Sequence, residues 1–244
     1  TQRASITLTD NDPVPEVKLS VSPASLTEGA GGVTLTATQD LVSSAPTIVS
    51  FSVSGNATRD SDYTIPSLSI TIAEGSLSEN ATFTLLDDNV SEGTETIVID
   101  TVSVSGGNGA TDNRTQQSIT IQDNDTVGLV ISESSLAVSE NGTTSATFTV
   151  KLRSEPTDSV VLTLSSSDEG EAIVSSSSTL SFSTTAWDTA QTVSVRTVDD
   201  NVSDGTQTST VTVASDNSTS DGNYDGLSGT ITVTTSDDDT VGLV

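Results

Sequence analysis

The side chains here that could do chemistry are carboxylates. Of 244 residues, 34 are Asp or Glu and seven are Lys or Arg, which leaves a net charge of −27, and His, Cys and Met do not occur. Without imidazole or thiolate there is no Ser-His-Asp triad, no His-ligated zinc, no thiol nucleophile and no disulfide. The acids come in blocks: Asp10-Asn11-Asp12, Asp87-Asp88, Asp123-Asn124-Asp125, Asp199-Asp200 and Asp237-Asp238-Asp239. Oxygen donors on flexible turns suit a hard cation. Ca2+ accepts about six to eight of them in loose geometry, whereas Mg2+ demands a strict octahedron and keeps its waters.

The spacing of the blocks points to the elements that must position them. The Asp-Asn-Asp block returns after 113 residues (12 to 125) and again after 114 (125 to 239), and Thr126-Val127-Gly128-Leu129-Val130 returns as 240–244. A repeat of this length is a domain rather than a solenoid turn. The chain therefore reads as part of a tandem array: the tail of one unit at 1–12, a unit at 13–125, a divergent unit at 126–239, and the start of another at 240–244. Within each unit apolar and polar residues alternate over short stretches, as in Val33-Thr34-Leu35-Thr36-Ala37, Ala81-Thr82-Phe83-Thr84-Leu85 and Ala146-Thr147-Phe148-Thr149-Val150. Period two means half-buried strands, and no helical stretch of useful length is found. The expected fold is all-β: two tandem immunoglobulin-like antiparallel β-sandwiches of about seven strands each.

Letting successive strands alternate in direction brings the acids to one end, the pole where the last strand of each unit finishes. In the first unit these are Glu28, Asp60, Asp62, Asp87, Asp88, Glu92, Glu95, Asp123 and Asp125. In the second they are Glu140, Asp168, Glu169, Glu171, Asp199, Asp200, Asp204, Asp237, Asp238 and Asp239. Two carboxylates about 5 Å apart repel by roughly 3 kcal/mol at an effective dielectric of about 20. A domain's net stability is only about 5 to 15 kcal/mol, so several such pairs at one pole need a multivalent cation, and several Ca2+ ions per unit are expected. The plainer alternative is a set of solvated acidic turns, the commoner fate of a charge run.

The residues Val21-Ser22-Pro23, Thr27-Glu28-Gly29, Ser61-Asp62-Tyr63, Leu86-Asp87-Asp88-Asn89-Val90-Ser91-Glu92-Gly93-Thr94-Glu95 and Ile121-Gln122-Asp123-Asn124-Asp125 together resemble the Calx-beta family. The resemblance covers essentially all of 13–125. It implies an immunoglobulin-like sandwich that binds several Ca2+ ions at one end, as in regulatory domains of sodium–calcium exchangers and in arrays on bacterial surface proteins. It carries ligand roles onto Glu28, Asp62, Asp87, Asp88, Glu92, Glu95, Asp123 and Asp125. Asn124 stands where some relatives have an aspartate, and Asp60 is additional. The second unit is similar through Ser167-Asp168, Trp187, Val198-Asp199-Asp200 and Asn223-Tyr224-Asp225-Gly226. It lacks the Ser-Asp-Tyr motif and has Gln207 at the place of Glu95, so fewer or weaker ions are expected there.

Weaker motifs fall away. Gly106-Gly107-Asn108-Gly109 occurs once, where calcium-binding nonapeptides need stacked copies, and no acid stands at position twelve of an EF-hand loop begun at Asp123. Trp187, Tyr63 and Tyr224 are expected in the core or plugging loops, and Lys18 and Lys151 in solvent. Paired carboxylates on turns without an aromatic cleft do not suggest a glycosidase. The net charge repels nucleic acid and anionic lipid, and no apolar run is long enough for a bilayer. The expected function is a non-enzymatic, calcium-rigidified spacer of an extracellular or cell-surface adhesin-like protein. It would be a monomeric rod whose partners are neighbouring repeats, with a cell-surface or glycan partner elsewhere in the full protein. The alternative is a calcium sensor whose ions reorient the two domains to control an attached partner.

Overall fold

The computed structural model describes residues 3–6, 13–113, 115–218 and 220–242. The Asp10-Asn11-Asp12 block, which ends the tail at 1–12, and residues 243–244 of the following start lie outside the described residues. The chain forms two compact units, residues 1–88 with 92–124, and residues 89–91 with 125–244.

The first unit contains β1 (Glu16–Ser22), β2 (Ser25–Thr27), β3 (Gly32–Gln39), β4 (Thr47–Gly55), β5 (Tyr63–Thr64), β6 (Ser69–Ile72), β7 (Ser78–Leu85), β8 (Glu95–Gly106), β9 (Thr111–Asp112) and β10 (Gln117–Gln122). These make two five-stranded sheets in the orders β5-β7-β3-β1-β9 and β2-β10-β8-β4-β6. The alternation read from the sequence is the burial pattern: Val33, Leu35 and Ala37 of β3, Phe83 and Leu85 of β7, Ile97 and Ile99 of β8, and Ile119 and Ile121 of β10 fill one core. Their polar neighbours along each strand face outward, as a pleat with a side-chain period of two requires.

The second unit contains β11 (Leu129–Ile131), β12 (Ser135–Ser139), β13 (Ser145–Leu152), β14 (Val160–Ser166), β15 (Ala172–Val174), β16 (Thr179–Phe182), β17 (Gln191–Thr197), β18 (Gln207–Ser215) and β19 (Ser228–Ser236). Its sheets run β11-β13-β17-β15 and β12-β19-β18-β14-β16. Phe148, Phe182 and Tyr224 anchor its core, with Trp187 packed against it and partly buried, the structural role expected for that residue. A short 3-10 turn, Gly222–Tyr224, is capped by Asp221.

Both units are sandwiches, with more strands than expected and with some parallel pairing. The reason is the first strand of each unit, which divides between the sheets. Pro23 has no N–H to give a ladder, and around it β1 pairs antiparallel with β3 while β2 pairs parallel with β10. In the second unit β11 pairs with β13, and β12 runs parallel to β19 from Ser135↔Thr232 to Ser139↔Ser236.

Candidate metal centres

The acids sit where strands of both sheets end. Tyr63 points into the core, its ring 5.7 Å from that of Phe83, and Asp62 precedes it in the turn before β5. There Asp62 is buried, its carbonyl accepts from Leu86 N at 2.9 Å, and its carboxylate takes the amide of Thr58. Glu28 is buried where its own amide donates to Gln122 O at 3.1 Å. Gly29, at φ +63°, lets the chain turn beside Asp87, since a Cβ there would meet Asp87 Oδ1 at 2.6 Å. Only a residue without Cβ meets both demands. Gly142 plays the same part against Asp199, with φ +62° and a would-be contact of 2.9 Å to its Cβ.

Three carboxylates in the first unit, Asp62, Asp88 and Glu92, each offer an oxygen within 4.8 Å of the others'. Glu28 and Asp123 approach each other equally closely. Asp125, two residues on, is partly buried and counted with the second unit. Asp123 also accepts from the amides of Glu92 and Gly93, both at 2.9 Å. Asn124 donates its backbone N–H to Glu28 Oε1 at 3.1 Å and its side-chain amide to Asp87 Oδ1 at 3.0 Å, so the residue that lowers the local charge also ties two acids together. Asp60 does not join them: its side chain is 78% exposed, 4.0 Å from Arg59.

The second unit repeats the arrangement with different residues. Glu140, 2% exposed, groups with Asp200 and Asp239 within 4.8 Å. The Ser-Asp-Tyr motif missing from its sequence has a counterpart all the same: the carbonyl of Glu171 accepts from Val198 N at 3.1 Å as that of Asp62 does from Leu86 N, and Ala172 follows it in place of Tyr63. Glu171 is surrounded by Asp204, Asp168, Asp200 and Asp237. Asp237 accepts from Gly205 N at 2.7 Å, as Asp123 does from Gly93. Asp168 serves its own turn by accepting from Gly170 N. Asp199 and Asp238 lie near Asp239. Gln207, the first residue of β18 as Glu95 is of β8, donates to Asp204 O at 3.3 Å.

The electrostatics follow from burial and like charge. Burial, then the charges of Asp62, Asp88 and Asp123, raise the pKa of Glu92. Burial, a hydrogen bond to Asp62, and the charges of Asp62, Glu92 and Glu28 push Glu95 up to about 7. Burial also raises Glu140, Glu171 and Asp239, while amide donors lower Asp237. Asp221 shows what a satisfied buried carboxylate looks like. Burial disfavours its charge, yet hydrogen bonds from Asn223, Thr157 and Asp158 outweigh that and hold its pKa below the usual value. At the poles such donors run short: Glu171 Oε2 and Asp239 Oδ2 are buried with no hydrogen-bond partner among the described residues. Buried anionic oxygens without donors suit a cation, and an all-oxygen donor set suits a hard one.

A pH dependence follows. Glu95 holds its proton up to about pH 7 when folded, against an ordinary value of 4.5. The folded state then binds more protons across that window, so the ion-free first domain loses stability as pH rises from 4.5 to 7. Thermal melts of metal-depleted protein are expected to show a lower transition at pH 7 than at pH 5. With saturating calcium the order reverses, because protons compete with the ion. A depleted protein that gains stability towards pH 7 would contradict this assignment.

The Calx-beta domain model matches residues 10–125 and again residues 122–239. The chain belongs to the Calx-beta family. No curated protein matches it. Among solved structures, CBD12 from CALX1.2 is similar at 14% identity over 82% of this chain and 79% of that one, with a TM-score of 0.40. The calcium binding domain CBD12 of CALX1.1 is similar at 14% identity over 81% and 80%, with a TM-score of 0.42. Domains 4 and 5 of the S-layer protein SbsC are similar at 16% identity over 93% and 99%, with a TM-score of 0.33. In the first Calx-beta domain Asp62, Asp88 and Asp123 of the family motifs converge with other acids, Asp62 and Asp88 with Glu92 and Asp123 with Glu28. In the second Calx-beta domain Glu171 takes the place that the motif reserves for an aspartate.

Proposed function

We propose that each Calx-beta domain binds Ca2+ at its acidic pole, and that the pair serves as a calcium-stiffened spacer in an extracellular or cell-surface protein of adhesin type. The observation that carries the calcium reading is the convergence of carboxylates at the rim, Glu140 with Asp200 and Asp239 the plainest case, where Asp239 Oδ2 is buried without a donor among the described residues, as is Glu171 Oε2. Glu28, Asp62, Asp88, Glu92 and Asp123 would hold ions in the first domain, and Glu140, Glu171, Asp200 and Asp239 in the second. The ion would supply the charge compensation that hydrogen bonds give Asp221. The spacer role is supported by two family matches that meet at residues 122–125 with no stretch left over for a linker, and by a donor set with no catalytic partner.

Calorimetric titration of the two-domain chain with calcium tests the binding. Asp88→Ala is expected to abolish heat from the first domain and Asp200→Ala from the second, each leaving the other's. Absence of heat in the unsubstituted chain refutes calcium binding. Affinities of about 10⁻⁴ to 10⁻³ M fit an extracellular module, and affinities near micromolar favour a sensor. X-ray scattering tests the spacer: equal dimensions in calcium and in chelator reject it even if calcium binds.

A further inference from the structure

We propose that the second Calx-beta domain binds an ordered water inside its core, between the hydroxyls of Ser209 and Thr235, in a layer that the first domain fills with larger side chains. The layer lies just below the acidic pole, and strand register fixes which residues form it. Leu85 ends β7 and Thr197 ends β17, each two residues before its double aspartate. Tyr63 pairs with Leu85, and Ala172 pairs with Thr197. Ile97 is the third residue of β8, opposite Ile119, and Ser209 is the third of β18, opposite Val233. Ile121 and Thr235 each stand two residues before the aspartate that accepts a glycine amide, Asp123 in one domain and Asp237 in the other. Tyr63, Leu85, Ile97 and Ile121 of the first domain are thus replaced by Ala172, Thr197, Ser209 and Thr235 in the second.

Both sets are buried. An aliphatic layer needs nothing more, but a layer of hydroxyls does, because a buried polar group without a partner costs free energy. Thr197 meets the need by donating from Oγ1 to Ser139 O at 2.9 Å. Ser209, 1% exposed, and Thr235, 0% exposed, do not: neither hydroxyl has a hydrogen-bond partner among the described residues.

The two hydroxyls stand where one water reaches both. Thr235 pairs with Gln207, two residues before Ser209, so the two are diagonal neighbours on adjacent strands. Diagonal Cα atoms lie about 7–8 Å apart, with the Cβ atoms closer, and a water at about 2.8 Å from each of two hydroxyls spans about 5.5 Å. A buried water also needs room, and each of the four side chains is smaller than its counterpart in the first domain. Water both donates and accepts, as each hydroxyl does, so one molecule serves the pair. A cation is a poorer fit, because the four residues include no carboxylate to offset its burial.

Thermal melts in chelator test the site, with the first domain as internal control. Thr235→Val keeps the shape of the side chain and removes its hydroxyl. With a bridging water this takes away one anchor, and the second domain is expected to melt several degrees lower, as it does for Ser209→Ala. An unpaired hydroxyl gives the opposite sign, since a methyl group in its place removes an uncompensated polar burial. An unchanged or higher transition for Thr235→Val therefore overturns the proposal. Groups that hold one water are coupled, so the double variant is expected to lose less than the sum of the two single losses, and additive shifts overturn the shared site. Should a variant fail to fold, a crystal structure of the unsubstituted chain decides. Density within hydrogen-bond distance of both Ser209 Oγ and Thr235 Oγ1 is expected, and hydroxyls bonded to protein atoms alone overturn the proposal. No step requires calcium, so this outcome and that of the calcium titration stand or fall separately.

Discussion

Calcium at a hundredfold above its dissociation constant is expected to raise the melting temperature of each Calx-beta domain by about 10 °C per site over the metal-depleted state. One such site contributes about 2.7 kcal/mol, and for a domain of about 100 residues each kcal/mol moves the transition by about 4 °C or more. The gain arises because the depleted state is poor, not because the ion adds a new fold. Asp62, Asp88 and Glu92 already hold their oxygens within 4.8 Å of one another, and on the proposed reading calcium would turn that repulsion into coordination. Differential scanning calorimetry in calcium and in chelator is the measurement. Identical transitions would mean that the acids are merely solvated.

Glu171→Gln is expected to move the two states of the second domain in opposite directions. In the depleted protein, an amide replaces a buried oxygen that has no partner and can donate to the carboxylates of Asp204 and Asp168 that surround it. Hydrogen bonds to charged groups contribute about 1.5–3 kcal/mol, so the depleted second domain melts several degrees higher. In calcium, the same change removes a charged ligand, and the calcium-dependent rise shrinks. The first domain, with its own acids, is unaffected and serves as the internal control. A variant less stable in both states would mean that Glu171 holds the loop by packing and not by charge.

The sandwiches and their acidic poles were legible because both rest on local pattern. Alternation in β3, β7 and β13 marks a core face whatever the neighbours are. The blocks Asp87-Asp88 and Asp123-Asn124-Asp125 lie at strand ends, where chain direction alone brings them together. Short elements escaped. β5 and β9 have two residues each and β15 has three, too few for a period to show. The division of the first strand between sheets depends on a partner nearly a hundred residues away, as in Thr120↔Ser25.

Among the acids, strand direction alone did not separate Asp60 from Asp62; only the family motif gave the ligand role to Asp62 and left Asp60 as an addition. Both follow the same strand, but Asp60 adopts φ +69° and swings out beside Arg59. Nor did sequence distance equate Glu171 with Asp62, because the residue types differ and the loop lengths do not match. Only the shared carbonyl hydrogen bond, Leu86 N to Asp62 O and Val198 N to Glu171 O, aligns them. The backbone donors to Asp123 and Asp237 carry no side-chain signature at all, although Gly93 and Gly205, at φ +90° and +81°, mark the turns that present them.

The parallel pairing of β12 with β19 has a mechanical corollary. The chain enters the second domain at one end of this pair and leaves it at the other, beyond Ser236, with five residues of each strand in register between. Tension on the two ends would slide one strand along its neighbour and load all of those backbone hydrogen bonds together, where a hairpin would let them peel apart singly. The domain is thus braced along its own length by the way its first strand changes sheets.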